Sequence, residues 1–85
     1  MSTTMQTNKS VYDRVKEVVV RELSISGSKV TESATFDSDL QVDSLGMVRV
    51  LAAIEDEFEG NIPDDDAEYI KSFGDMVRYH SEKVA

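Results

Sequence analysis

Residues 43–60 read DSLGMVRVLAAIEDEFEG, and the spacing of apolar side chains in this stretch decides the fold. Met47, Val48, Leu51, Ile54 and Phe58 recur at the three- and four-residue intervals of one α-helical face, with no strict alternation to suggest a strand. A helix is expected over about 44–59, this face as core, with Gly60 and Asn61 as the stop signal. A second apolar line, Leu45, Val48 and Ala52, leaves the same end and is bordered by Glu55 and Asp56. It is either the edge of a wide core stripe or a separate strip. Ser44 stands at the head of the helix between Asp43 and Leu45. Backbone N–H groups and the helix dipole favour an anion at such an end, so a phosphodiester esterified to this hydroxyl would sit in a favourable field. Asp and Ser are also ordinary capping residues, and this tripeptide alone does not separate the two roles.

Outward from this helix, the rest of the chain reads as helical too. Ser10 followed by Asp13 resembles a capping box, and Val11, Val15, Val18, Val19 and Leu23 keep helical spacing, so a first helix is expected over Val11–Leu23. Its valines lower helix propensity by about tenths of a kcal/mol each, which packing should override. Residues 24–42 form a long connection with Gly27 and a run of Ser and Thr, punctuated by Ile25, Val30, Phe36 and Leu40. Those apolar residues should pin it across the bundle, with a short turn of helix near Asp37 to Leu40. Pro63 and the acids Asp64 to Asp66 fit the first turn of a short helix reaching Ile70. Ser72, with Asp75 three residues on, caps a last helix of about Phe73 to Lys83 that buries Phe73, Met76, Val77 and Tyr79. The expected architecture is all-α: a small four-helix bundle of three main helices and one short one, with a long first connecting loop.

Composition narrows the chemistry. A chain of 85 residues without cysteine has no disulfide framework, thiolate metal site or cysteine nucleophile. Its single histidine, His80, reads as a surface residue, so histidine-based catalysis lacks parts. No catalytic residue and no metal site is expected. Asp64, Asp66 and Glu68 imitate the alternation of a calcium loop, but Tyr69 occupies the place of the turn glycine and Asp75 that of the final glutamate. The net charge of −8 is concentrated: residues 50–70 hold eight Asp and Glu and no Lys or Arg. Such a field repels nucleic acid and steers basic protein surfaces. No apolar run approaches the roughly 20 residues of a membrane span, so a cytoplasmic protein is expected.

The assembled pattern resembles the acyl carrier protein family. Phe36, Asp39, Leu40, then Asp43, Ser44, Leu45, then Val48, then Glu55, Glu57, Phe58, then Ile62, Pro63, Asp64, then Ala67, Glu68, Ile70, and Tyr79 all fall at family spacing. The polar, Thr/Ser-rich residues 1–9 read as a flexible leader, and residues 10–85 are expected to form an acyl-carrier-like domain. The resemblance implies that Ser44 carries 4′-phosphopantetheine, transferred from coenzyme A by a separate magnesium-dependent transferase, and that the thiol of this arm holds acyl groups as thioesters. Carried over position by position, Asp43, Leu45, Val48, Arg49, Ala52, Glu55 and Asp56 form the docking surface. The implied partners are a phosphopantetheinyl transferase, an acyl-loading ligase or acyltransferase, and ketosynthase-type enzymes with basic patches. A monomer is expected.

The sequence also departs from the well-known fatty acid carriers. Gly46 stands where they usually have an acid, Arg49 where they usually have Glu, Gln41 where a glycine usually precedes the motif, and Ala52 where a bulkier apolar residue is common. Gly46 should weaken the first helical turn by up to about 1 kcal/mol relative to Ala. These departures point to a specialised discrete member, in a secondary or polyketide-like pathway or one loading a short polar unit, over the general fatty acid carrier. An aminoacyl or peptidyl carrier is the nearest variant, though Gln41, Val42 and Asp43 lack its usual Gly-Gly run. An unmodified acidic helical adaptor for basic proteins is the alternative of another class. Met47, Leu51, Ile54, Phe58, Ile62 and Ile70 serve either to line a pocket for an aliphatic cargo or as plain core.

Overall fold

The computed structural model describes residues 10–84, and the expected leader at residues 1–9 lies outside them. Helix α1 spans Val11–Leu23. The Ser10 hydroxyl accepts from the Asp13 amide at 3.1 Å, which caps the first turn. Val15, Val18 and Val19 are fully buried. Each contributes about 1.5–3 kcal/mol by leaving water, more than its β-branched propensity cost. Ser24 ends the helix in the left-handed region, φ 54°.

The long connection is ordered by the residues expected to pin it. Val30, Ala34, Phe36 and Leu40 are buried, and Ile25 packs against them. A three-residue 3-10 turn occupies Gly27–Lys29. Near Asp37 to Leu40, where a short helix was expected, the chain makes one closed turn: the amides of Asp39 and Leu40 both donate to Thr35 O, at 3.1 and 3.0 Å. The Asp39 carboxylate accepts from the Thr35 amide at 2.9 Å, so a side chain takes the place of a continuing helical ladder. Gln41, left-handed at φ 54°, then turns the chain away. This is the position where the resembling carriers use glycine, and glutamine adopts the conformation glycine would reach without strain.

The connection is also stitched to the far side of the bundle. Phe36 N donates to Lys71 O (3.0 Å), Phe73 N to Ala34 O (2.9 Å) and Gly74 N to Glu32 O (3.0 Å). Thr35 and Ser72 form an isolated antiparallel bridge. Val42 N donates to Phe36 O at 2.7 Å, which fixes the residues just before Ser44.

Helix α2 spans Ser44–Phe58. Its core face is rotated from the expected one. Val48, assigned to the core, is 61% exposed, whereas Val50, which the periodicity passed over, is fully buried beside Ile54. Met47, Leu51 and Phe58 flank that centre as half-buried residues. The stop differs as well: Glu59, at φ 52°, is the left-handed residue, and Gly60 only follows it, donating to Glu55 O at 3.1 Å. Helix α3 is a single turn, Asp64–Ala67, shorter than expected. Three-residue closures, Tyr69 N to Asp66 O (3.0 Å) and Ile70 N to Ala67 O (3.1 Å), tighten the chain after it. They turn Ile70 into the core and leave Tyr69 79% exposed.

Helix α4 spans Phe73–Val84. Its capping box is complete: Asp75 N donates to Ser72 Oγ, and Asp75 Oδ2 accepts from the Ser72 amide, both at 3.1 Å. Phe73 and Met76 are fully buried, with Val77 and Tyr79 half-buried. Helix α1 packs against both α2 and α4. The architecture is the expected four-helix bundle. No helix among the described residues is long and apolar enough to cross a membrane.

His80, expected at the surface, is instead 4% exposed. Its ring stacks on Phe58 at 4.7 Å and meets the Tyr79 ring edge-on at 5.1 Å. Nδ1 lies 2.9 Å from the Met76 carbonyl, which can only accept, so the neutral ring carries its proton there. Burial pushes the His80 pKa below its ordinary 6.5, helped by the nearby Lys83 charge and opposed by the Met76 hydrogen bond. Arg14 covers Phe58 at 4.3 Å while ion-pairing with Glu57 at 3.0 Å. Tyr79 donates to Asp66 at 2.7 Å, and burial followed by that bond pushes its phenol up to about 12.

A base held neutral in the folded state binds protons more readily once unfolded, so stability is lost as pH is lowered through that window. The contribution of His80 is complete above 6.5 and is shed as pH drops from there towards its depressed folded value. Urea midpoints from about pH 7.5 to about pH 5.5, above most carboxylate titration, should decline for the parent and less for His80→Leu. Equal slopes would show that His80 charges without cost.

Candidate functional site

The site is assembled at the N-terminus of α2. Asp43 is the N-cap: its Oδ1 accepts from the Gly46 amide at 2.8 Å, and its carbonyl accepts from Met47 N at 2.9 Å. The amides of Ser44 and Leu45 meet no acceptor among the described residues, so two donors and the positive end of a 15-residue helix face outward together. Ser44 is exposed, and its hydroxyl makes no hydrogen bond with any described residue. Capping, the structural role its position allowed, is performed by Asp43. That leaves the Ser44 oxygen free to be esterified, with unpaired amides beside it for a phosphate.

Gly46 has a structural reason for being glycine. A Cβ there would stand 2.9 Å from Val42 Cγ1 and 3.1 Å from Asp43 Oδ1, crowding the residue that supplies the cap. Its expected propensity cost is therefore exchanged for room around Asp43.

The expected docking residues separate into two groups. Leu45, Val48, Arg49, Ala52 and Asp56 are all exposed, and their spacing of three, four, seven and eleven residues from Leu45 places them on one face of α2. Leu45 and Val48 are 67% and 61% exposed, which resolves the second apolar line as a separate outward strip. Glu55 and Asp43 stand apart. Glu55 is half-buried, and its Oε2 accepts from the Ile62 amide at 2.7 Å, bracing the loop after α2. Asp43 is committed to the cap.

A cavity of about 220 Å³ lies next to this face, with Phe36, Val42, Met47, Leu51, Ala67 and Ile70 as apolar walls and Asp37, Glu68 and Lys71 at its rim. Of the residues expected to line a pocket, Met47, Leu51 and Ile70 do so here. Phe58 and Ile62 line a different cavity beside Tyr79 and His80, and Ile54 is plain core. Phe36 and Val42 were missed as lining residues. Val42 had a legible signal, an apolar residue immediately before Asp43; Phe36 depends on a fold-back that spacing does not show. Among the described residues no group of three or more His, Asp or Glu is placed to hold a metal.

Comparison with known proteins accords with this geometry. The family model described as "Phosphopantetheine attachment site" matches residues 13–79. An acyl carrier protein of Caulobacter vibrioides strain NA1000 / CB15N is 44% identical over 75 residues, covering 88% of this chain and 96% of that relative. The acyl carrier protein of strain ATCC 19089 / CIP 103742 / CB 15 of the same species matches with the same identity and coverage.

Proposed function

The chain belongs to the acyl carrier protein family, with 4′-phosphopantetheine as its covalent prosthetic group, and on that premise we propose that Ser44 is the attachment point. The observation that carries this reading is the exposed Ser44 hydroxyl beside two amides, all three without a hydrogen-bond partner among the described residues, with its capping role already filled by Asp43. When bound, the arm supplies a terminal thiol that holds an acyl group as a thioester. The chain's own residues then have three tasks. The end of α2 fixes and electrostatically supports the phosphodiester, the strip Leu45, Val48 and Ala52 offers an apolar seat to partner enzymes, and the cavity at Met47, Leu51 and Ile70 shelters an aliphatic cargo. Tethering replaces a diffusing substrate by a high local concentration at each docked enzyme.

The partners in this reading are a phosphopantetheinyl transferase, an acyl-loading ligase or acyltransferase, and ketosynthase-type enzymes. Arg49 in the exposed face supports a specialised pathway over general fatty acid synthesis. Intact-mass measurement after incubation with coenzyme A, magnesium and a broad-specificity transferase should give one phosphopantetheine adduct per chain. Peptide mapping should place it on the fragment containing Ser44. An adduct on another hydroxyl rejects the assignment to Ser44, and an unmodified chain rejects it and favours an acidic adaptor.

A further inference from the structure

The exposed face of α2 has an ordered polarity that the net charge conceals. Arg49 is the only Lys or Arg between residues 30 and 70, a span containing twelve Asp and Glu. It is exposed and makes no ion pair or side-chain hydrogen bond among the described residues. Its own helix offers it no carboxylate: the positions three and four residues away are Leu45, Gly46, Ala52 and Ala53. The acids of α2 are meanwhile partly withdrawn. Asp43 is committed to Gly46 N, Glu55 to Ile62 N, and Glu57 to Arg14. On the strip itself this leaves Asp56, exposed and without such a partner among the described residues, seven residues beyond Arg49. Seven residues advance about 10 Å along a helix and nearly two full turns around it, so the two charges lie in line on one face.

From this arrangement we propose that the acyl-loading enzyme specific to this carrier presents a carboxylate opposite Arg49, near the arm, and a Lys or Arg about 10 Å farther along opposite Asp56. Leu45, Val48 and Ala52 occupy an apolar seat between and beside these charges. A uniformly basic groove, suited to the chain's overall charge, places a cation against Arg49 and is disfavoured. The carrier is thereby selected by the order of charges along one helix while its general acidity still speeds encounter. The inference rests on Ser44 carrying the arm, and it goes beyond that assignment by fixing the chemistry of the loading partner.

The test separates the two. Parent, Arg49→Gln, Arg49→Glu and Asp56→Lys proteins are each converted to completion with coenzyme A and a broad-specificity transferase, with the arm verified by mass. Failure of the parent at this stage defeats the attachment reading. The holo proteins are then incubated with clarified extract of the producing cells, and acyl loading is followed by intact mass. Arg49→Glu should load about tenfold more slowly than the parent or worse, Arg49→Gln less severely, and Asp56→Lys should also lose rate. Raising salt should narrow the gap between parent and Arg49→Glu. A parent left unloaded by the extract, or an Arg49→Glu protein loaded as fast as the parent or faster, overturns the proposal.

Discussion

Ser44→Ala is expected to fold as the parent does and to take up no phosphopantetheine. Attachment needs a nucleophilic oxygen at this position, so the loss is all-or-none in the mass spectrum. Stability should barely move, by less than about 0.5 kcal/mol, because the exposed hydroxyl holds nothing in place. The contrast is Asp43→Ala, which removes the acceptor for Gly46 N and should cost about 1 kcal/mol through loss of the cap. Urea unfolding of both variants beside the transferase assay separates the roles. A Ser44→Ala protein that still gains the adduct, or one that unfolds at a much lower urea concentration, contradicts the division of labour between these two neighbours.

Gly74→Ala is expected to be the most destabilising of the Gly→Ala changes in this chain. Replacing glycine by alanine in a helix ordinarily gains up to about 1 kcal/mol. At Gly74 the added Cβ would stand 2.7 Å from the carbonyl oxygen of Glu32, the same oxygen that accepts the Gly74 amide at 3.0 Å. Backbone cannot step aside as a side-chain tip can, so the connection must lift away from α4. A net loss of about 2–3 kcal/mol follows, a large share of the roughly 4–13 kcal/mol available to a domain of this size. Gly60→Ala, where the nearest atom to the added Cβ is 3.7 Å away, is the matched control and should be close to neutral. Thermal unfolding should separate the two by about 10 °C or more. Equal melting temperatures would mean that residues 32–36 are held much more loosely than their hydrogen bonds indicate.

Most of the bundle was legible because helix signals in this chain are local. Ser10 with Asp13, and Ser72 with Asp75, mark two helix starts by side chains that bond their own backbone, and both bonds are present. What escaped depends on partners distant in sequence. His80 is buried because Phe58 stacks on it and the Met76 carbonyl receives its proton, and no spacing rule announces either. Val48 and Val50 are alike in composition and lie two positions apart. Which one faces inward is set by where α1 packs on α2, and periodicity fixes that angle only to about one residue. Glu59 in the left-handed region shows the same limit, since a glycine immediately after it invited the wrong assignment.

The site divides along a similar line. Ser44 could be singled out from its position at a helix start, whereas the second apolar line stayed open between core edge and separate strip until the exposure of Leu45 and Val48 decided it. The withdrawal of Glu55 could not be read, because its carboxylate is claimed by a backbone amide seven residues later, across a turn of unpredictable shape. Arg49 appeared in the sequence as a departure from the family pattern. Its meaning changes once its neighbours on the helix are seen to include no counter-charge.

Backbone bonds run without a break from Gly74 and Phe73 through residues 32–36 to Val42, two positions short of Ser44. With the arm on Ser44, as proposed, they act as a strut bracing the tether's root against the last helix. Whatever wandering the cargo does is consequently confined to the arm, and an enzyme that grips α2 knows the origin of that wandering before the thioester arrives.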